Sequence, residues 1–124
     1  MSRRYGPENV PRAGAPRSKS QPHYYEQVWE LVRQCPPGRV TTYGALADAL
    51  TLGTPRMAGY AMRHCFDAEP PVPAHRVVNA EGRLTGKLHF DPPEAMAAAL
   101  EREGTRVEGD RVAEFRERFW DPAA

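Results

Sequence analysis

Residues able to do chemistry are sparse in this 124-residue chain, and the best placed of them stand together. His75 and Arg76 follow Ala74 in the run PVPAHRVV (residues 71–78), where prolines stiffen the approach and two valines continue as an extended segment. A general base at His75 would need a nucleophile within about 3 Å and a third group to orient the ring. The neighbour best placed to be that nucleophile is Ala74, whose side chain is a methyl group. Residue chemistry therefore reads His75 as a structural hydrogen-bonding group, in a corner built like a reactive site without its reactive atom. Cys65 is the other candidate acceptor, with only His64 beside it as a base, and a cysteine on a helix is usually packing. Cys35 and Cys65 form no CxxC or Cys/His ligand spacing, and no Gly-rich phosphate loop appears, so neither a metal nor a cofactor is expected.

The helices and strands around this corner can be read from period and punctuation. YYEQVWELVRQC (24–35) places Tyr25, Val28, Leu31, Val32 and Cys35 at helical spacing, and PPG (36–38) ends the helix. Val40 and its neighbours make a short extended segment. TTYGALADALTLGTPRMAGYAMRHC (41–65) then reads as two short helices across a tight turn. Thr42 caps the first, Gly53 supplies a left-handed turn, Thr54 caps the second, and Pro55 takes its first position. The second helix carries Ala58, Gly59 and Ala61 with Arg56 and Arg63 and no acid. Such a helix fits a shallow minor groove with Arg56 as an inserted wedge, and equally fits plain packing against a neighbouring helix with its arginines solvated.

After the corner, NAEG (79–82) is a turn and RLTGK (83–87) the return arm of a hairpin. DPPEAMAAALEREG (91–104) is expected as a helix capped by Asp91, with Pro92 first and Gly104 as its stop. TRVEGDRV (105–112) is a hairpin turning on Gly109-Asp110, a small wing, and Phe115, Phe119 and Trp120 form a closing apolar strap. The fold class is therefore α+β, mainly helical: a winged helix-turn-helix-like domain with short hairpins over residues 23–124.

Residues 1–22 hold five basic side chains, one acid and four prolines, and read as a flexible basic arm that either adds phosphate attraction or is inert. Net charge is +1, yet residues 1–90 carry about +5 and residues 91–124 about −4, an asymmetry that suits a polyanion on one side. Two cysteines exclude a disulfide framework and suit a reducing cytosol. No apolar run approaches a membrane span, and the N-terminus lacks the apolar stretch of a signal peptide, so a soluble cytoplasmic protein without membrane contact is expected.

The motifs GRVTTYGALA (38–47), PRMAGYAMR (55–63), PAHRVV (73–78), GRLTGKL (82–88) and LEREG (100–104) together resemble the DNA-binding domain of the O6-alkylguanine-DNA alkyltransferases, from about Tyr24 to Trp120. In that family a cysteine stands at the position of Ala74 and accepts the alkyl group; its absence is similar to the alkyltransferase-like proteins, which hold the lesion without repairing it. The resemblance implies no catalytic residue. It implies DNA contacts from Thr42, Tyr43, Arg56, Ala58, Gly59 and Arg63. It further implies a lesion pocket walled by Tyr43, Pro73, Ala74, His75, Arg76 and Val77, with Lys87 on a lid sensing the O6 substituent and Glu103 as the partner of His75. The implied partners are double-stranded DNA containing O6-alkylguanine and the proteins of nucleotide excision repair, with the protein a monomer associated with the nucleoid. An alkyltransferase using Cys65 and a winged-helix regulator reading base sequence are the competing readings. HCFDAEPPV (64–72) departs from the asparagine-proline step of the active enzymes, which leaves the hinge of the pocket open.

Overall fold

A computed structural model describes residues 23–124; the basic arm lies outside the described residues. In order come α1 (His23–Arg33), β1 (Thr41–Thr42), α2 (Tyr43–Ala49), α3 (Pro55–Arg63), a 3-10 turn (Ala74–Arg76), β2 (Val77–Val78), a second 3-10 turn (Thr85–His89), α4 (Ala95–Arg102), β3 (Val107–Glu108), β4 (Arg111–Val112) and α5 (Phe115–Arg118). The architecture is mainly helical with very short strands. No helix among the described residues is long and apolar enough to cross a membrane.

The helices form because one stripe of each finds an apolar partner. Val28, Trp29 and Val32 of α1 pack with Leu46 of α2 and Ala58, Ala61 and Met62 of α3. Trp29 is fixed in direction as well as depth, since its indole Nε1 donates to the Ala61 carbonyl at 2.8 Å. Thr42 caps α2, its hydroxyl accepting from the Ala45 amide at 3.0 Å. Between α2 and α3 the left-handed residue is Thr51 (φ 54), not the expected Gly53. Thr51 N–H donates to the Asp48 carbonyl and Leu52 N–H to that of Ala47, the paired bonds that close a helix whose next residue turns left-handed. Thr54 occupies the cap position of α3 through its backbone alone, without the expected side-chain bond, and Pro55 opens the helix.

β2 joins two halves of the core. It runs parallel to β1, with Thr41 opposite Val77 and Thr42 opposite Val78. Alternation along a strand sends neighbouring side chains to opposite faces. Val77 accordingly joins the α1–α3 cluster, while Val78 joins Val40, Leu84, Met96, Leu100 and Val112.

RLTGK is not a return strand. Asn79 N–H bonds to the Arg83 carbonyl, so the turn closes, but the arm pairs with β4 instead, Arg83 bridging antiparallel to Arg111 and Leu84 N–H donating to the Asp110 carbonyl, before the chain coils into the Thr85–His89 turn. α4 starts at Ala95 rather than at Pro92, and Asp91 is not its cap. The second proline explains the delay: Pro93 disfavours helical backbone at Pro92, the residue expected to open the helix. Gly104 (φ 89) ends this helix as expected, and the β3–β4 hairpin turns on Gly109 and Asp110, both with positive φ, as a tight two-residue turn requires. The C-terminal strap is stitched to Val40, whose N–H donates to the Arg118 carbonyl and whose carbonyl accepts from Trp120 N–H at 2.7 Å.

Candidate nucleic-acid interface and base cleft

The two-proline corner is an inverse γ-turn. Pro73 sits at φ −77, ψ 72, and Ala74 N–H donates back to the Val72 carbonyl at 2.7 Å. This bend turns Ala74 to the floor of a cleft of about 370 Å³, whose lining also includes Tyr43, Arg56, Gly59, Tyr60 and Phe66. The remaining wall comes from Pro55, Met62, Arg63 and the turn bearing Thr85, Gly86, His89 and Phe90. That volume falls within the ~300–1,000 Å³ usual for small-molecule sites. Two guanidiniums and no carboxylate line it, which suits an anionic or electron-rich guest.

Tyr43 is the first residue of α2, directly after the capped Thr42, so the cap fixes where its ring enters the cleft. Burial pushes its phenol up, a hydrogen bond with the Thr85 side chain acts in the opposite direction, and the hydroxyl stays protonated. A Cβ on Gly86 would come within 3.0 Å of that hydroxyl, so the lid turn approaches Tyr43 this closely because residue 86 has no side chain. On α3, Arg56, Gly59, Tyr60 and Arg63 share one face, spaced three, four and seven residues from the first. Arg63 lies over the Tyr60 ring at 5.6 Å.

Behind the floor stands an ionic clamp. The Arg76 guanidinium grips Glu103 with both prongs, Nε to Oε1 at 3.0 Å and Nη2 to Oε2 at 2.6 Å, and donates Nη1 to the Cys35 carbonyl at 2.8 Å. His75 Nε2 lies 2.9 Å from Glu103 Oε2. The side chains of His75, Arg76 and Glu103 are 15%, 13% and 19% exposed. Arg76 holds the Glu103 carboxyl down at about 2, against an ordinary 4.5, with His75 adding to the effect and burial opposing it. The clamp ties the ends of α1 and α4 to the corner that presents Ala74.

A depressed carboxylate stabilises the fold above its ordinary pKa, and the contribution disappears as pH falls from about 4.5 toward 2. Glu103→Gln should therefore cost about 2–3 kcal/mol at neutral pH, a gap that narrows as the wild-type carboxylate protonates. Urea unfolding of both proteins between pH 3 and 7 checks it, and a gap that stays constant across that range would contradict the clamp.

Several expected site residues stand elsewhere. Thr42 is buried and spends its hydroxyl on the cap of α2. Ala58 is 0% exposed and packs in the core, because it lies on the opposite face of α3 from Arg56. Val77 is buried against the helices, and Pro73, His75 and Arg76 line a separate depression with Arg33, Pro71 and Val72. These four support the cleft wall from behind. Lys87 does not line the cleft; its ammonium is paired with Asp110 on the β3–β4 hairpin. Cys65 is buried, lies outside the cleft lining, and burial pushes its thiol up to about 12, which keeps it protonated at neutral pH. Tyr60, Phe66, His89 and Phe90, none singled out by sequence reasoning, line the cleft. Tyr60 was detectable, since it lies four residues from Arg56 on the same stripe; Phe66 and the lid residues carry no local signal. Among the described residues no cluster of metal-ligand type side chains occurs.

Residues 23–105 match the family model of the 6-O-methylguanine DNA methyltransferase DNA-binding domain. The chain is 30% identical over 104 residues to alkyltransferase-like protein 1 of Schizosaccharomyces pombe, covering 80% of this chain and 95% of that protein. A stretch of 64 residues is 47% identical to a DNA base-flipping protein of Thermus thermophilus, covering 48% of this chain and 40% of that relative. Among solved structures, that of S. pombe Atl1 in complex with damaged DNA containing O6-carboxymethylguanine superposes with a TM-score of 0.68 at 31% identity, over 78% of this chain and 94% of that one. With a matching family model over most of its length and a full-length relative of the same kind, this chain belongs to the family of the 6-O-methylguanine DNA methyltransferase DNA-binding domain.

Proposed function

We propose that this protein is a non-enzymatic sensor of O6-alkylguanine in duplex DNA, which rotates the damaged base into the Tyr43–Ala74 cleft and marks it for nucleotide excision repair. The observation that carries the reading is Ala74: the corner, its clamp and the cleft are all built, and the residue at the floor has no atom that can accept an alkyl group. In this reading α3 docks in the minor groove, where width and charge are sensed more than sequence, and Arg56 fills the stack that the base vacates. Tyr43, at the start of α2, supports the turned-out nucleotide. Rotation out of the stack costs a few kcal/mol and less for a poorly paired base, which gives a binder intrinsic preference for damage. The protein acts as a monomer. The inaccessible, protonated Cys65 supports binding without transfer.

Titration of matched duplexes with guanine or O6-methylguanine at one central position, at fixed salt because phosphate contacts are salt-dependent, is expected to show at least tenfold tighter binding of the lesion. Intact mass after prolonged incubation should stay that of the unmodified chain. Equal affinities would remove the sensor reading, and an alkyl adduct on any residue would replace it with an enzyme.

A further inference from the structure

The outward side of α1 borders a groove of about 800 Å³ that shares no residue with the base cleft. Trp29, Leu31, Leu50 and Ala68 contribute its apolar surface, and Glu26, Glu30 and Glu69 edge it with carboxylates. Glu26 and Glu30 stand four residues apart on one stripe of α1, and Glu69 faces them from the loop beyond α3. Arg33 also borders the groove; it donates to Glu30 at 3.2 Å and to the Pro70 carbonyl at 2.7 Å, and the Glu30 side chain still stays 65% exposed. His23, through which α1 joins residues 1–22, lines the same groove. Those 22 residues carry five basic side chains and one acid, opposite in sign to the carboxylates at their point of attachment. Length matches as well as charge. From His23 to Gln34 the helix rises about 16 Å, a distance that about five extended residues cover. Ala15 to Lys19 is a run of that length, with Ala15 biased to extended backbone by Pro16, and Ser20-Gln21-Pro22 supplies turn-forming residues for the reversal. In an extended run Arg17 and Lys19 point to the same side.

We propose that the groove edged by Glu26, Glu30 and Glu69 is the docking site of this chain's own basic arm, with Arg17 and Lys19 laid against the carboxylates in competition with DNA phosphates. Exposed ion pairs are individually weak, but a tethered segment meets its site at an effective concentration in the millimolar range, so a few suffice. A duplex presents a denser row of negative charge and draws the same cations away. The groove thereby holds back the arm's attraction for undamaged DNA.

Lys19 and Lys87 are the two lysines of the chain, which makes carbodiimide cross-linking of the full-length protein a direct test. Lys87 should link to Asp110, its partner in the structure, and serves as the internal reference. Lys19 is expected to link to Glu69, 50 residues away along the chain, in preference to the carboxylates of α4 and α5. Glu26→Gln/Glu30→Gln should reduce that link severalfold, and excess duplex should suppress it. Lys19 links spread evenly over all faces, or Glu69 links that join two differently isotope-labelled chains, overturn docking within one molecule. Competition is read from affinity for an undamaged duplex. Glu26→Gln/Glu30→Gln/Glu69→Gln should raise it about two- to fivefold more with the wild-type arm than with Arg17→Gln/Lys19→Gln, a comparison that cancels the general effect of removing negative charge. Equal increases in the two backgrounds overturn the competition with DNA. If a glutamine variant melts at a lower temperature, the wild-type cross-links and their response to duplex still decide.

Discussion

Gly59→Leu is expected to abolish preferential lesion binding, lowering affinity for an O6-methylguanine duplex by tenfold or more toward that for undamaged DNA, while leaving the fold intact or slightly more stable. The two effects have opposite signs for a physical reason. Glycine inside a helix costs roughly 0.5–1 kcal/mol relative to alanine, so a side chain there favours α3. Space around this position is open, but it is the space of the cleft, which a leucine side chain fills. Thermal melting and fluorescence anisotropy on the same preparation check both halves. A variant that melted at the wild-type temperature and still discriminated lesion from guanine would place the base somewhere other than this cleft. Gly59→Ala, adding one methyl, should fall between the two in binding.

Arg56→Ala should weaken lesion binding by tenfold or more with little change in melting temperature. Arg56 is exposed at the second position of α3, and its side chain borders the cleft without supporting the core. Stacking of a side chain on bases contributes about 1–3 kcal/mol per base in alanine-substitution experiments, and a phosphate contact adds a salt-dependent part. Arg56→Lys separates these contributions: charge is kept, but the planar group that can replace a base in the stack is lost. If the lysine variant binds like wild type, Arg56 acts as a charge and not as a wedge. 2-Aminopurine placed opposite the lesion would report the vacated stack directly, and its signal should fall in the alanine variant.

The arginines of this chain show how little composition says about use. Fifteen of its seventeen basic residues are arginine, which suits phosphate recognition. In the structure several are structural instead: Arg33 donates to the Pro70 carbonyl, Arg39 to the carbonyls of Arg118 and Phe119, Arg118 to those of Gly38 and Gly104, and Arg76 to Glu103 and Cys35. A guanidinium has five donors in a fixed plane, so it can bridge loop carbonyls that short strands leave unpaired. Arg56 and Arg63 differ because α3 directs them to the cleft, away from such carbonyls.

Whatever depends on neighbours along the chain was legible in the residues. The α1 stripe, the Thr42 cap, Pro55 opening α3, Gly104 closing α4 and the Gly109-Asp110 turn all follow from period and local backbone chemistry, and all stand where that chemistry put them. The motifs spaced from residue 38 to residue 104 sufficed for the family. Even some local failures, such as the late start of α4 after two prolines, were readable from the residue before proline. Which side chains meet was settled by packing. Phe66 faces Phe90, Arg76 reaches Glu103 and Lys87 turns to Asp110 across 24, 27 and 23 residues of chain. A period tells which face of an element is apolar, but the direction of a loop side chain is fixed by the partner that packing brings to it, and that partner is not encoded nearby.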